Sequence, residues 1–311
     1  MNKKLLNNPV LQQILKQCNP DTGICPVIMG PTASGKSALA LEIAESFHGE
    51  IISADSMQFY KGLDIGTAKP DHSEQARVPH HLLDTLDIHE KADIFMFCQK
   101  AEQILKEIRQ RKCLPIVAGG SGLYLRAFIY GLDPLPAQES LRKELDTKYD
   151  SDDGFPALQK IMAEECPGDF ERFSRHRRKL IRAYEVFLLT GKQITDLQNT
   201  RIQPEARKDI CSVVLSWDRD ILKERIRTRC REMLKQGWIE ETEQLIQQGL
   251  LQTPTAWQAL GYPIIAEYLQ GNLSYEELPE KISIATWQFA RRQITWFKHQ
   301  HPEALVLEMP F

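Results

Sequence analysis

Gly30-Pro31-Thr32-Ala33-Ser34-Gly35-Lys36-Ser37 satisfies the pattern G-x-x-x-x-G-K-[ST]. Its chemistry is phosphate binding. The glycines let backbone N–H groups converge on phosphate oxygens at a helix N-terminus. Lys36 adds a point charge, and the Ser37 hydroxyl can hold Mg²⁺. The pattern specifies a di- or triphosphate and does not say which. A nucleotide-hydrolysing or kinase site would add a second strand ending in an aspartate that supports the metal. Val213-Val-Leu-Ser-Trp217-Asp218 is the best segment for that, although Ser and Trp interrupt its apolar run. Asp55, after Ile51-Ile52-Ser53-Ala54, is the other carboxylate placed at a strand tip; its alternative is a helix N-cap.

Cations occur in three further places. At 100° per residue, Leu222, Ile226, Cys230 and Met233 share one helical face, and Arg229 falls on it. An arginine aimed inward must find an anion, a salt-bridge partner or a diphosphate, because an unpaired buried charge is very costly. Between Lys281 and Lys298, Trp287, Arg291, Ile294 and Lys298 form one stripe, and Ile282, Phe289, Gln293 and Trp296 another. Basic residues among aromatics suit RNA; cations snorkelling from an amphipathic helix are the alternative. Finally, Arg172, Arg175, Arg177, Arg178, Lys179 and Arg182 place six cations within 11 residues. A solvated helix face is the plain explanation, but so dense a run of one sign favours a polyanionic partner.

These residues need a scaffold. Residues 24–30, 50–54, 114–118 and 212–217 read as strands, and residues 36–47 as a helix. Strands alternating with helices predict an α/β fold, a three-layer P-loop core with a parallel sheet covered on both faces. After Asp133-Pro134-Leu135-Pro136 the chain turns charged and helix-forming with no convincing strand. The expected division is an N-terminal extension (1–23), a catalytic core (24–136 and 211–311) and a helical insertion domain (137–210). Among 311 residues, 39 Lys and Arg against 42 Asp and Glu leave a net charge of −3, with 42% apolar and 26% charged residues. That balance excludes disordered and collagen-like chains, and taken alone it points away from nucleic acid; the placement of the cations points towards it. No apolar run reaches the ~18 residues that a membrane span needs. The seven cysteines are scattered without a Cys-x-x-Cys pair, which fits a reducing cytoplasm and neither a metal site nor a disulfide framework.

Further motifs, in order, resemble the bacterial tRNA dimethylallyltransferases (tRNA isopentenyltransferases, the IPP transferase family). They are the P-loop, Ser53-Ala-Asp-Ser-Met-Gln58, Tyr60-Lys-Gly-Leu-Asp-Ile-Gly-Thr-Ala-Lys-Pro70, Pro79-His-His-Leu-Leu-Asp84, Gly119-Gly-Ser-Gly-Leu-Tyr-Leu125, Gly261-Tyr262 and Arg291-Arg-Gln-Ile-Thr-Trp296. The resemblance runs from about Val27 to Lys298. It implies transfer of a dimethylallyl group from its diphosphate to the exocyclic amine of the adenosine beside the tRNA anticodon. Residues 30–37 would cradle the diphosphate, with Mg²⁺ on Ser37, and Asp55 would take the amine proton. Lys36, Ser121 and Arg229 would stabilise the leaving group. tRNA contacts carried over are Asp55, Ser56, Met57, Gln58, Ser121, Arg142, Arg178, Lys179, Leu180, Ile181, Arg182, Gln258, Gly261, Tyr262, Arg291, Arg292 and Lys298. The chain departs from the family pattern at Ser121 (Thr is usual), Arg175-His176-Arg177 (Pro-Asn-Asp), Lys179 (Arg) and Pro263 (a basic residue). A monomer acting on the tRNA anticodon stem-loop, with no membrane, is expected. The alternatives are an ATP-dependent small-molecule kinase, prenyl transfer to free adenine nucleotides, and a non-catalytic RNA-binding module.

Overall fold

The computed structural model describes residues 8–18, 21–132, 135–199 and 205–309. These divide into two compact units, one of residues 1–131 with 206–311 and the other of residues 132–205.

The first unit opens with α1 (Pro9–Gln17), started by Asn8, whose side chain accepts from the backbone N–H of Val10 at 3.0 Å and Leu11 at 3.2 Å. Then come β1 (Cys25–Met29), α2 (Lys36–Ser46), β2 (Gly49–Ser53), α3 (His72–Arg77), β3 (His80–His81), α4 (Ile94–Gln110), β4 (Leu114–Gly119) and α5 (Gly122–Tyr130). The second unit holds α6 (Glu139–Tyr149), α7 (Gly154–Glu165), α8 (Pro167–Phe173), α9 (Arg177–Thr190) and α10 (Ile194–Asn199) around its own core of Leu145, Tyr149, Leu158, Met162, Leu180 and Val186. The chain returns through β5 (Ile210–Trp217), α11 (Arg219–Lys235), α12 (Trp238–Gln247), α13 (Tyr262–Leu269), α14 (Leu278–Gln300) and β6 (Leu305–Met309).

The six strands form one parallel sheet in the order β3-β2-β4-β1-β5-β6. Every residue of β1, β2 and β4 is buried, as strands covered on both faces require. Side chains alternate between faces. Val27 and Met29 join the core beneath α4, α5, α11 and α14, while Ile28 points into the core under α1 and α2.

Three details differ from the sequence-based reading. Residues 9–18 are part of the core unit, because Leu11, Ile14 and Cys18 are buried in the α2 face of the sheet. The second unit begins at 132 and ends at 205, about five residues before the expected bounds at each end. Two short edge strands, β3 and β6, complete the sheet.

Candidate active site

Brought together by strand order, the tips of β2, β4, β1 and β5 carry the chemistry. After β1 the chain turns through Gly30–Gly35, and Gly35 takes φ +90° immediately before α2, a left-handed conformation that favours glycine. Three side chains hold this loop from outside. Gln293 Oε1 accepts from Thr32 N–H at 2.8 Å, Arg225 Nε donates to Ala33 O at 2.9 Å, and Trp217 Nε1 donates to Ser34 O at 2.8 Å. The Arg225 guanidinium lies 4.3 Å from the centroid of the Trp217 ring, so these two clamps brace each other.

Lys36 starts α2 and donates to Pro31 O at 3.3 Å. Burial pushes its ammonium down to about 8; nearby Asp55 opposes the shift and Arg229 adds to it. Arg229 lies on the inner face of α11, as the helical periodicity predicts. Burial depresses its pKa too, and its guanidinium makes no hydrogen bond or ion pair with another side chain among the described residues. Two desolvated cations lining one cavity, Arg229 acting on Lys36 and Arg225 on Arg229, form a site for an anion.

At the β2 tip, Ala54 N–H donates to Ala118 O at 2.8 Å and Ser121 N–H to Ala54 O at 3.2 Å, which locks the β2 and β4 turns together. A Cβ on Gly119 would overlap the Ala54 carbonyl, so this close approach requires glycine. Asp55 opens a turn instead of capping a helix; its Oδ1 accepts from Met57 N–H at 3.1 Å. Ser121 Oγ accepts from Ser56 N–H at 3.0 Å and lies 3.3 Å from Ser56 Oγ. Asp218, the weak metal-supporting candidate, instead caps α11 by accepting from Asp220 N–H and Ile221 N–H.

Lys36, Ser37, Asp55, Ser121 and Arg229 all line one cavity of ≈ 360 Å³. Ile226, Met233, Trp238 and Phe289 give the same cavity an apolar wall. A wider opening of ≈ 1110 Å³ shares Lys36, Ser37 and Arg229 with it, so the phosphate loop stands where the two meet. The arrangement can hold a polyphosphate against cations with a carboxylate and an apolar surface alongside. Among the described residues no three His, Cys, Asp or Glu gather as a metal cage.

The carried-over RNA residues fall into two groups. Ser56 and Met57 line the cavity, and Gln258, Arg291, Arg292, Arg178, Lys179 and Lys298 are exposed. Asp55 and Ser121 line the cavity too, and the rest make contacts within the protein, Gln58 while also bordering the cavity. Gln58 is buried, donating to Thr67 O and Ala68 O while accepting from Ser53 Oγ. Leu180 and Ile181 lie in the core of the second unit, and Gly261 and Tyr262 are buried in the first. Arg142 and Arg182 both grip the buried Glu185, whose desolvation is outweighed by these bonds so that its pKa is lowered. Arg177 pairs with Asp152 at 2.5 Å. The dense run at 172–182 is thus partly neutralised from other parts of its unit. Arg175, Arg178 and Lys179 remain exposed and form no ion pair among the described residues.

Sequence reasoning missed Arg225, Trp217 and Gln293. It also missed Glu241, which accepts from Asp64 N–H at 3.2 Å, Ile65 N–H at 2.7 Å, Gly66 N–H at 3.2 Å and Tyr262 O–H at 2.7 Å. With Lys69, bonded to Asp64, Asp84 and Tyr60 O, it fixes the 60–70 segment whose Gly66, Thr67 and Ala68 border the cavity. One signal was available: Gln293 is a polar residue on an otherwise apolar helical stripe.

A model of the IPP transferase family matches residues 58–300. A tRNA dimethylallyltransferase of Methylococcus capsulatus is 43% identical over 286 residues, 91% of this chain and 91% of the relative. One of Kocuria rhizophila is 39% identical over 272 residues, 87% and 85% of the two chains. Among solved structures, the full-length tRNA isopentenylpyrophosphate transferase of Bacillus halodurans superposes with TM-score 0.67 at 33% identity, covering 92% of this chain and 90% of its own. A eukaryotic dimethylallyltransferase acting on tRNA reaches TM-score 0.77 at 25% identity, covering 91% and 73%.

Proposed function

The chain belongs to the IPP transferase family, and from that premise we propose how its site performs the reaction of a tRNA dimethylallyltransferase. The donor is dimethylallyl diphosphate, and the acceptor is the exocyclic amine of the adenosine next to the anticodon. The observation that carries this reading is the convergence of Lys36, Ser37, Asp55, Ser121 and Arg229 on one cavity with an apolar wall.

An exocyclic adenine amine is a poor nucleophile, and it must lose a proton as its new bond forms. Asp55 receives that proton. The amine nitrogen bonds to the terminal allyl carbon while the carbon–oxygen bond to diphosphate breaks, the diphosphate leaving with the electron pair. Lys36 and Arg229 are already desolvated and face the departing charge, with the Ser121 hydroxyl beside them, so little reorganisation is needed. The backbone N–H groups of the P-loop hold the same anion. The apolar wall takes the prenyl chain, and the acceptor base leaves its stack, at small cost in a loop, to enter.

Mg²⁺ fits a site with one hydroxyl ligand, because this ion keeps most of its waters and binds mainly through substrate phosphates. Ser37, exposed at the start of α2, would hold it. When bound, the ion supplies further neutralisation of the diphosphate. Exposed Arg291, Arg292 and Lys298 on α14, and Arg175, Arg178 and Lys179 in the second unit, supply phosphate contacts to the tRNA. Seven free cysteines, six of them buried, suit the reducing cytoplasm.

Ligand-dependent melting tests the choice of donor. Dimethylallyl diphosphate raises the melting temperature more than ATP does at equal concentration. The reverse ranking would replace this reading with a kinase.

A further inference from the structure

The strongest feature outside the assigned chemistry is Gln293. It lies on α14, 7% exposed, one residue beyond Arg292. Both ends of its amide are used. Oε1 accepts from Thr32 N–H at 2.8 Å in the P-loop, and Nε2 donates to Gly120 O at 2.9 Å in the turn that leads to Ser121. The fit leaves no slack, since a Cβ on Gly120 would stand 2.6 Å from Nε2 and 3.5 Å from Lys36 Nζ. A buried primary amide with both ends satisfied is directional, as an apolar side chain in that place is not.

We infer that Gln293 is a positioning residue, a strut setting the spacing between the diphosphate-binding loop and the Ser121 turn. It borders the cavity, but both ends of its amide are taken up by Thr32 and Gly120, through which it acts. The inference rests on the diphosphate reading of the P-loop and deepens it. Without the strut, Thr32 N–H loses its acceptor and the loop is released to rearrange at its third residue, while the outward Arg291 and Arg292 on the same helix keep their exposure.

Two variants test this. Gln293→Met fills similar volume and removes both bonds; Gln293→Glu keeps an acceptor for Thr32 N–H and loses the donor to Gly120 O. Inorganic diphosphate affinity, measured by calorimetry on the full chain, weakens by about tenfold in Gln293→Met, the loss of roughly one buried hydrogen bond. Gln293→Glu keeps the acceptor but sets a carboxylate against Gly120 O and beside the diphosphate, so its loss is at least as large, about tenfold or more. tRNA affinity stays within about twofold in both, so KM for the prenyl donor rises and kcat falls without a matching change in KM for tRNA. Diphosphate affinity within twofold of the unaltered protein in Gln293→Met would overturn the inference. So would parallel losses of diphosphate and tRNA affinity in both variants. If the unaltered protein binds no diphosphate, the underlying reading fails, which is a separate result.

Discussion

Lys36 offers a quantitative test because its proton is held by the environment that binds the leaving group. Burial lowers its pKa to about 8, with Asp55 opposing the shift and Arg229 reinforcing it. A bound diphosphate stabilises the ammonium, so the liganded pKa is higher and the free protein must take up a proton to bind above pH 8. Apparent affinity then falls as 1 + 10^(pH − 8), which gives roughly a twofold loss at pH 8 and about tenfold at pH 9 relative to pH 7. Arginine does not titrate in this range, so Lys36→Arg provides the reference for titration of diphosphate itself. Titration calorimetry with inorganic diphosphate from pH 7 to 9.5 measures both slopes. The stability effect of the same group runs the other way. The unfolded chain keeps the proton up to about 10.5 while the folded chain releases it near 8, so stability of the free protein rises over that window. Equal slopes for the unaltered protein and Lys36→Arg would show that Lys36 is not the group that binds the anion.

Asp55→Asn lowers kcat by about 10²–10⁴ while tRNA affinity stays within a few-fold, because a general base acts in the transition state; single-turnover kinetics with filter binding checks both, and full activity would remove Asp55 from the mechanism. Neutralising Arg175, Arg178 and Lys179 together weakens tRNA binding and lowers its slope against log salt by up to about 2–3, without changing diphosphate affinity. An unchanged slope would make these residues a solvated face only. Glu241→Ala leaves three backbone N–H groups of the 64–66 turn and the Tyr262 hydroxyl without their acceptor, costing about 2–4 kcal/mol in denaturant unfolding and exposing the 60–70 segment to proteases first.

The site was legible wherever one residue type at one spacing carries the meaning. The P-loop lies between β1 and α2 as its glycines and lysine require, and Arg229 faces inward because the apolar period of α11 put it there. What stayed hidden depends on contacts between distant segments. Arg225 sits at the edge of the same helical face, yet its partner is a carbonyl 192 positions away. Gln293 reaches 261 positions back to Thr32 and 173 to Gly120. Asp218 looked like a metal supporter at a strand end, but the helix starting after it needed a cap. β3 has two residues and β6 is a part-exposed edge strand, so neither carries the continuous apolar run that exposes central strands. The charge run at 172–182 overstated the free cations because Glu185 and Asp152 lie outside it in sequence and beside it in space.

Prenyl transfer itself is the central claim, and one incubation measures it. Purified protein, Mg²⁺, dimethylallyl diphosphate and unmodified tRNA are combined, and the tRNA is digested for nucleoside mass analysis. The expected product is adenosine heavier by one dimethylallyl group in place of a hydrogen, located beside the anticodon, with diphosphate released in equal amount. Unmodified adenosine at that position, or modification of free adenine nucleotides with tRNA left unchanged, would contradict it.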